Sequence, residues 1–83
     1  MQKHTKTYMQ FFGYGEQDII LCERCHRQAT DIHHIIYRSQ GGGDNIENLI
    51  ALCRICHDQA HQEKLKPVEL NYIHKKFIND TAN

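Results

Sequence analysis

The pattern of apolar and polar residues divides the middle of the chain into two strand-like segments and a helix-like one. The segment 29–36 is rich in β-branched residues and Leu49–Leu52 is wholly apolar, so both predict strands. Residues 37–47, between them, hold a triple glycine and an Asp-Asn pair, which predict an irregular loop. From Arg54 to about Lys64 the sequence lacks Gly and Pro and has helical spacing. This order predicts an α+β unit of two strands and a helix.

A further helix is predicted from Pro67 to about residue 79, because proline suits the first position of a helix. Its apolar residues recur at helical spacing and would pack on the strand and helix unit. The residues of this stripe are Val68, Leu70, Ile73, Phe77 and Ile78. Residues 1–17 combine aromatic and polar residues with two glycines, so they predict either a short helix or a loop.

The length of 83 residues predicts one small domain over residues 1–83, with its core at 18–64. A chain this short buries little apolar surface and needs a further source of stability. Ten basic and ten acidic residues give a formal charge of zero, which predicts weak, salt-sensitive affinity for a polyanion. The N-terminus does not resemble a signal peptide and no apolar run is long enough for a membrane span, so we expect an intracellular, cytoplasmic protein.

Four cysteines supply that stability if they bind a metal. They form two C-x-x-C pairs, Cys22 with Cys25 and Cys53 with Cys56. Two residues between partners suit a metal knuckle better than a disulfide, so the spacing predicts a structural zinc site of four thiolates. Disulfides, free thiols or the replacement of one cysteine ligand by His26 are the alternatives.

Histidines close to both cysteine pairs predict a second metal site. His57 and His61 are four residues apart on the predicted helix, so both imidazoles lie on one face and can reach one ion. His33 belongs to the first predicted strand, and its neighbour His34 has a rival interpretation as a buried, hydrogen-bonded histidine. For His61 the rival is an exposed helix position. The histidines expected at the surface are His4 and His74.

Four motifs follow one another along the chain in a fixed order. They are C-x-x-C at Cys22–Cys25, a strand with His-His at Asp31–Ile35, a glycine-rich loop at Gly41–Asn45, and N-L-I-A-L-C-R-I-C-H at Asn48–His57. This order, which covers about half of the chain, resembles the zinc-knuckle branch of the HNH endonucleases. The resemblance implies a ββα-metal fold, in which two antiparallel strands and a helix hold one divalent cation.

The same resemblance assigns roles to individual residues. His34 matches the general base of the family, which takes a proton from the attacking water, and imidazole titrates near neutral pH. His33 would bind the catalytic ion, at a position where many members carry aspartate. His57, at the last family histidine, and His61 would complete the ligand set. Asn48 would hold the loop against the strand and so orient the base, without binding the metal.

The implied reaction is hydrolysis of a DNA phosphodiester bond. The cation would stabilise charge on the leaving 3′ oxygen, which gives a 5′ phosphate and a 3′ hydroxyl. Three imidazoles favour borderline ions, so Zn²⁺, Ni²⁺, Co²⁺ and Mn²⁺ should compete with Mg²⁺. Arg38 would bind a phosphate oxygen, and Arg54 is among the basic residues available for docking. Because groove-reading elements are absent from the sequence, we expect nicking of duplex DNA with low specificity, and single strands or branched structures are the alternative substrates. A partner protein or a dimer would supply targeting.

Two other functions fit the same motifs. A non-catalytic zinc module would bind nucleic acid or protein, and one bound metal per chain or widely separated histidines would favour it. A structural zinc domain would serve as an accessory part of a larger assembly. Retention of the histidine, asparagine and cysteine positions disfavours that last function, because decayed sites usually lose the base first. The resemblance also implies an origin in a phage or mobile element, where compact nucleases of this family often occur.

Overall fold

The computed structural model describes residues 2–81 and has an α+β architecture. Its helices are α1 (Lys3–Phe12), α2 (Arg54–His61) and α3 (Pro67–Thr81), and its strands are β1 (Asp31–His34) and β2 (Leu49–Leu52). The two strands form an antiparallel hairpin in which His33 pairs with Ile50. Because α2 follows β2 directly, the three elements make the ββα unit that the sequence predicts. Within the described residues, no helix is both long and apolar enough to cross a membrane.

Strand β2 is buried along its whole length. Successive residues of a strand point to opposite faces, so β2 contributes to two separate cores. Ile50 and Leu52 enter the core that α2 and α3 share, whereas Leu49 and Ala51 enter a second core with Tyr8 of α1. The hairpin is therefore held between these two clusters of side chains, with α2 and α3 on one side and α1 on the other.

Helix α1 settles the choice that the sequence leaves open for residues 1–17. The helix ends at Gly13, which has a left-handed conformation with φ of 72°. The N–H of Tyr14 then donates to the carbonyl of Met9 at 2.8 Å, which closes the last turn. Glycine takes this conformation without steric cost, so the breaker seen in the sequence acts as a helix terminator.

A buried polar cluster joins α1, the first cysteine pair and α3. The side chain of Glu23 is 0 % exposed, accepts a hydrogen bond from the Tyr8 hydroxyl at 2.6 Å, and lies 2.8 Å from Nδ1 of His74. The other ring nitrogen of His74, Nε2, lies 2.6 Å from the carbonyl oxygen of Ile46. A carbonyl only accepts, so Nε2 donates to it, and Glu23 and His74 hold one further proton between them. Complete partnering of this kind is what makes burial of ionisable groups tolerable.

The expectation that His74 lies at the surface is therefore wrong. Its side chain is 1 % exposed, and its partner Glu23 stands 51 positions earlier in the chain. Val68 departs from prediction in the opposite direction, because it is 73 % exposed. Leu70 and Ile73 do pack on the core, so the buried face of α3 runs through these residues and His74.

Two element boundaries also differ from the prediction. Strand β1 is shorter than the predicted segment 29–36, because the backbone of Ile36 bonds to the side chain of Asn48 instead of a strand partner. Helix α2 ends before the predicted limit near Lys64, and the positive φ of 61° at Glu63 turns the chain away. The loop between the strands contains two short 3-10 turns, so it is irregular as predicted.

Candidate metal centres and active site

The four cysteine sulfurs converge on one point. All four lie within 4.8 Å of one another, and the Sγ atoms of Cys25 and Cys53 are 3.5 Å apart. None of the four takes part in a disulfide. Tetrahedral zinc with Zn–S bonds of about 2.3 Å separates its sulfur ligands by about 3.8 Å, so this cluster fits a zinc ion closely. The cluster therefore supports a structural zinc rather than disulfides.

Local backbone geometry brings the first cysteine pair into position. His26 has a positive φ of 66°, and its backbone N–H donates to the carbonyl of Cys22 at 2.9 Å. The N–H of Cys22 in turn donates to the carbonyl of Arg27 at 2.6 Å, which makes a tight knuckle. The His26 residue is exposed, and it contributes the turn rather than a member of the sulfur cluster.

The second cysteine pair lies at the start of α2, where a backbone N–H of the helix favours the thiolate of Cys53. Cys53 is the N-cap residue, and its Sγ accepts a hydrogen bond from the backbone N–H of Cys56. Desolvation is the largest single influence and opposes ionisation of Cys53, but this hydrogen bond and those to the other cysteines together lower the pKa of the thiol to about 7. The guanidinium of Arg24 lies 3.6 Å from the Sγ of Cys56 and adds a compensating positive charge. Thiolate is the form that binds zinc.

The three predicted histidine ligands also lie together. The ligand nitrogens of His33, His57 and His61 are all within 4.8 Å of one another. The Nε2 atoms of His57 and His61 are 3.1 Å apart, close to the separation of about 3.3 Å expected for two imidazoles on one tetrahedral zinc. Burial, followed by the neighbouring charges of His57 and His61, lowers the pKa of His33 to about 4. His33 is therefore neutral at physiological pH, and a neutral imidazole has a lone pair for a metal.

The fold explains why these three imidazoles converge. His33 is buried on β1 and His57 and His61 stand one turn apart on α2, which packs against the hairpin. The carboxylate of Asp31 lies 3.3 Å from Nδ1 of His57, at ion-pair distance but outside hydrogen-bond geometry. Asp31 is therefore a charged neighbour of His57 rather than its hydrogen-bonded partner. Three protein nitrogens leave room for a substrate oxygen or water on the ion.

Next to this triad, His34 is paired with a carboxylate that the sequence did not single out. Its Nε2 lies 2.8 Å from Oδ1 of Asp44. The Arg38 guanidinium lies 3.0 and 3.1 Å from the two oxygens of the same carboxylate. The hydrogen bonds from His34 and Arg38 hold the pKa of the Asp44 carboxyl below its usual value, so Asp44 is ionised and Nε2 of His34 donates to it. In the sequence, Asp44 stands only as a turn-former after three glycines.

Helix α1 adds a further histidine beside His34. The ring centroids of His4 and His34 are 4.6 Å apart, and His4 is half-buried, so the expectation of a surface position is wrong. Burial is the main cause of a lowered pKa at His4, and the charges of His34 and Arg38 add to it. Its Nδ1 is buried and has no hydrogen-bond partner in the described part of the chain. No pattern in the sequence indicates this contact, because His4 lies 30 positions from its neighbour.

Asn48 ties the glycine-rich loop to the end of β1. Its Oδ1 accepts from the N–H of Ile36 at 2.8 Å, and its Nδ2 donates to the carbonyls of Ile36 and Gly43 at 3.0 and 2.8 Å. Gly42 fits between these groups because a Cβ there would collide with the carbonyl of Ile36. The amide of Asn48 therefore fixes the loop that carries Asp44, and Asp44 in turn pairs with His34.

The two arginines predicted to bind substrate occupy different environments. Arg38 has a side chain that is 61 % exposed, and it already pairs with Asp44. Arg54 begins α2 and is exposed. Burial is the first cause of the lowered pKa of His57, and the charge of Arg54 contributes to it, so this arginine lies in the field of the histidine triad. Both residues remain predicted substrate contacts.

Comparison with known proteins gives the family of this chain. A family model described as HNH endonuclease matches residues 22–63, which include both cysteine pairs, the hairpin and α2. This match covers half of the chain, so the chain belongs to the HNH endonuclease family, as its motifs predict.

Two curated relatives differ in how much of them the chain covers. The chain is 35 % identical over 54 residues to the type IV methyl-directed restriction enzyme EcoKMcrA of Escherichia coli (strain K12), over 53 % of this chain and 20 % of that enzyme. It is 31 % identical over 64 residues to Anaredoxin of Nostoc sp. (strain PCC 7120), over 77 % of this chain and 83 % of that protein. The chain thus spans one fifth of the length of the restriction enzyme. The match to the HNH endonuclease model and the similarity to the restriction enzyme together support a nuclease-type function.

Proposed function

We propose that the protein is a metal-dependent endonuclease that hydrolyses DNA phosphodiester bonds, with His34 as the general base. The observation that carries this proposal is the close set of His33, His57 and His61 beside a histidine paired with a carboxylate. A metal site with an open position next to a base is what hydrolysis of an unreactive phosphodiester needs.

The hydrogen bond to Asp44 prepares His34 for this role. Because Nε2 donates to the carboxylate, the proton of the neutral ring lies on Nε2 and the lone pair lies on Nδ1. Nδ1 is then the atom that takes the proton from water. The carboxylate also stabilises the imidazolium that forms, as a carboxylate does in other histidine-based sites. Asp44 is thus proposed as a positioning residue, itself held by Arg38.

The ligand residues His33, His57 and His61 would hold one divalent ion. When bound, this ion polarises the phosphate and stabilises negative charge on the leaving 3′ oxygen, so the products carry a 5′ phosphate and a 3′ hydroxyl. An all-imidazole set suits Zn²⁺, Ni²⁺, Co²⁺ or Mn²⁺ at least as well as Mg²⁺. Cys22, Cys25, Cys53 and Cys56 would hold the separate structural zinc.

Nicking of duplex DNA with low sequence specificity is the proposed outcome. The chain has equal numbers of basic and acidic residues, so its electrostatic grip on a phosphate backbone is small. Arg38 and Arg54 would provide local phosphate contacts, and a partner protein or a second copy would provide targeting. The single-domain organisation over 1–83, an intracellular location and a phage or mobile-element origin remain predictions.

Plasmid nicking in the presence of added divalent ions tests the proposal. Wild-type protein should convert supercoiled plasmid to the open circular form, and His34→Ala should lower the rate by about 10²- to 10⁴-fold. His26→Asn is the matched control, because that histidine is exposed, is not in the histidine triad, and asparagine accepts positive φ. Full nicking activity in a folded His34→Ala protein would exclude this base.

A non-catalytic zinc module is the second candidate function. The chain matches Anaredoxin over most of the length of that protein, and the name Anaredoxin does not describe a nuclease. This candidate predicts that no divalent ion supports cleavage and that elemental analysis finds one metal per chain. The nuclease proposal instead predicts two metals per chain, one in each cluster.

A further inference from the structure

A cavity of about 340 Å³ adjoins the histidine triad and is not used by the proposed chemistry. His33 and His61 form one wall of it, so the cavity and the metal centre share two residues. Its apolar lining includes Ile35, Leu65 and Leu70, which are 5 %, 5 % and 1 % exposed. This volume lies in the range of small-molecule sites, where an apolar interior with a few polar groups is usual.

The mouth of the cavity carries groups that suit a planar, polar-edged ligand. Tyr37 lines both this cavity and the shallower opening over the triad. Its ring is stacked on that of His61, with an angle of 25° between the two ring planes. Gln40 offers an amide that both donates and accepts, and Lys66 offers a positive charge. Glu63 is also at this rim, so the lining is not a simple anion site. Aromatic surface beside mixed donors and acceptors matches a nucleobase better than a phosphate.

The low net charge of the chain favours a contact of this kind. Ten basic and ten acidic residues allow few phosphates to be neutralised at once. Contacts that are not electrostatic would therefore contribute a large share of the affinity of this chain for DNA. A base stacked on an aromatic side chain supplies such a contact, and it needs an unpaired base because a paired one is hidden in the duplex.

We propose that this cavity takes one unpaired nucleobase from the strand whose phosphate lies at the histidine triad. The preferred substrate is then DNA with an extruded or unpaired base next to the scissile bond, and fully paired duplex is a poorer one. The base enters between Tyr37 and the apolar interior, and Gln40 meets its polar edge. This inference rests on the proposed nuclease function, because the triad has to hold the neighbouring phosphate.

Cleavage of two matched duplexes gives the first test, one fully paired and the other with a single bulged base. Wild-type protein should cleave the bulged duplex with a kcat/KM about tenfold higher, within the range that one base–aromatic stack supplies. Tyr37→Leu, which removes the aromatic ring on which the base would stack, should bring the ratio of the two kcat/KM values close to one. Tyr72→Leu is the control, because Tyr72 is 70 % exposed and does not line the cavity, and it should keep the wild-type ratio. Equal kcat/KM values for the two duplexes with wild-type protein would overturn the inference.

A binding measurement separates this inference from the nuclease function itself. The bulged base is replaced by 2-aminopurine, whose fluorescence falls on stacking, and the duplex is titrated with metal-loaded His34→Ala protein. Quenching that is lost in the His34→Ala, Tyr37→Leu double variant supports the cavity even if wild-type protein cleaves no DNA. Absence of quenching, with equal affinity for bulged and paired duplexes, would rule the cavity out while plasmid nicking by wild-type protein still supported the nuclease.

Discussion

At the scale of single residues, the neighbours of each histidine decide what it can do. His33 loses its charge because it is buried among other imidazoles, which suits a metal ligand. His34 is the next residue, yet it points to Asp44 and acquires the environment of a base. Strand geometry explains the difference, since adjacent side chains on β1 face opposite sides. The two adjacent imidazoles of this dipeptide thus suit two different chemical roles.

Removing the charge of Asp44 should weaken catalysis without unfolding the protein. Asp44→Asn keeps the size of the side chain but no longer stabilises a positive imidazole ring. We expect the nicking rate to fall by about 10- to 100-fold, the usual cost of losing an orienting partner. Rates on supercoiled plasmid measure the effect, and circular dichroism checks the fold. Asp80→Asn on α3 is the control, and an unchanged rate in Asp44→Asn would refute the positioning role.

The ring of His4 should act by packing against His34. His4→Ala removes this contact, and we expect kcat to fall by about tenfold with KM little changed, a smaller loss than the ~10²-fold of an ångström misplacement. His4→Phe keeps a ring and removes the buried, unpartnered Nδ1, so it should retain activity and raise the melting temperature. Gln10→Ala, on the exposed side of α1, serves as the control. A folded His4→Phe protein as inactive as His4→Ala would contradict a packing role.

At the scale of elements, the loop between β1 and β2 links the fold to the site. It carries Arg38 and Asp44, and its conformation depends on the amide of Asn48 rather than on a regular hydrogen-bond ladder. Close approach of Gly42 to the Ile36 carbonyl leaves no space for a side chain. The glycine-rich stretch is therefore a compact structural element and not a free linker.

Asn48→Ala should loosen this loop and weaken activity more than stability. The substitution removes three hydrogen bonds, each worth about 0.5–1.5 kcal/mol, and their partial exposure reduces the sum to about 1–2 kcal/mol. Urea denaturation measures this loss of unfolding free energy. We expect the nicking rate to fall by more than this loss of stability would cause, because Asp44 no longer holds His34 in place. Asn45→Ala, whose side chain does not cap the following turn, should leave both quantities nearly unchanged.

At the scale of the whole molecule, the sulfur cluster and the histidine triad have different relations to folding. Cys22, Cys53 and Cys56 are members of the hydrophobic core that α2 and α3 share. The triad lies at the edge of that core, with His61 exposed. Loss of the first metal should therefore unfold the chain, and loss of the second should not.

Metal analysis of two variants tests this division. Cys53→Ser should abolish the folded state, because structural zinc contributes about 10–16 kcal/mol and a domain is stable by only about 5–15 kcal/mol. His57→Ala should keep its circular dichroism spectrum, lose nicking, and fall from two metals to one per chain. A folded Cys53→Ser protein would contradict the structural role of the sulfur cluster, and an unfolded His57→Ala protein would contradict a triad that is not needed for folding.

The sequence by itself determined the elements whose signal is local. Strand Leu49–Leu52 is continuous and apolar, helix α3 begins at the one proline, and the C-x-x-C pairs have the spacing of a zinc knuckle. These features depend on residues within a few positions of one another, so the pattern alone indicates them. The same holds for His57 and His61, which share a helix face at any tertiary arrangement.

Only the tertiary structure decided which distant groups meet. His74 pairs with Glu23 across 51 positions, Asp44 reaches His34 across a loop of glycines, and His4 packs on His34 from a separate helix. In each case a polar side chain is directed by the packing of the element that carries it. Burial in the cores fixes the helices that carry His74 and His4, and the amide of Asn48 fixes the loop that carries Asp44. No short-range pattern of residues encodes the contacts that result.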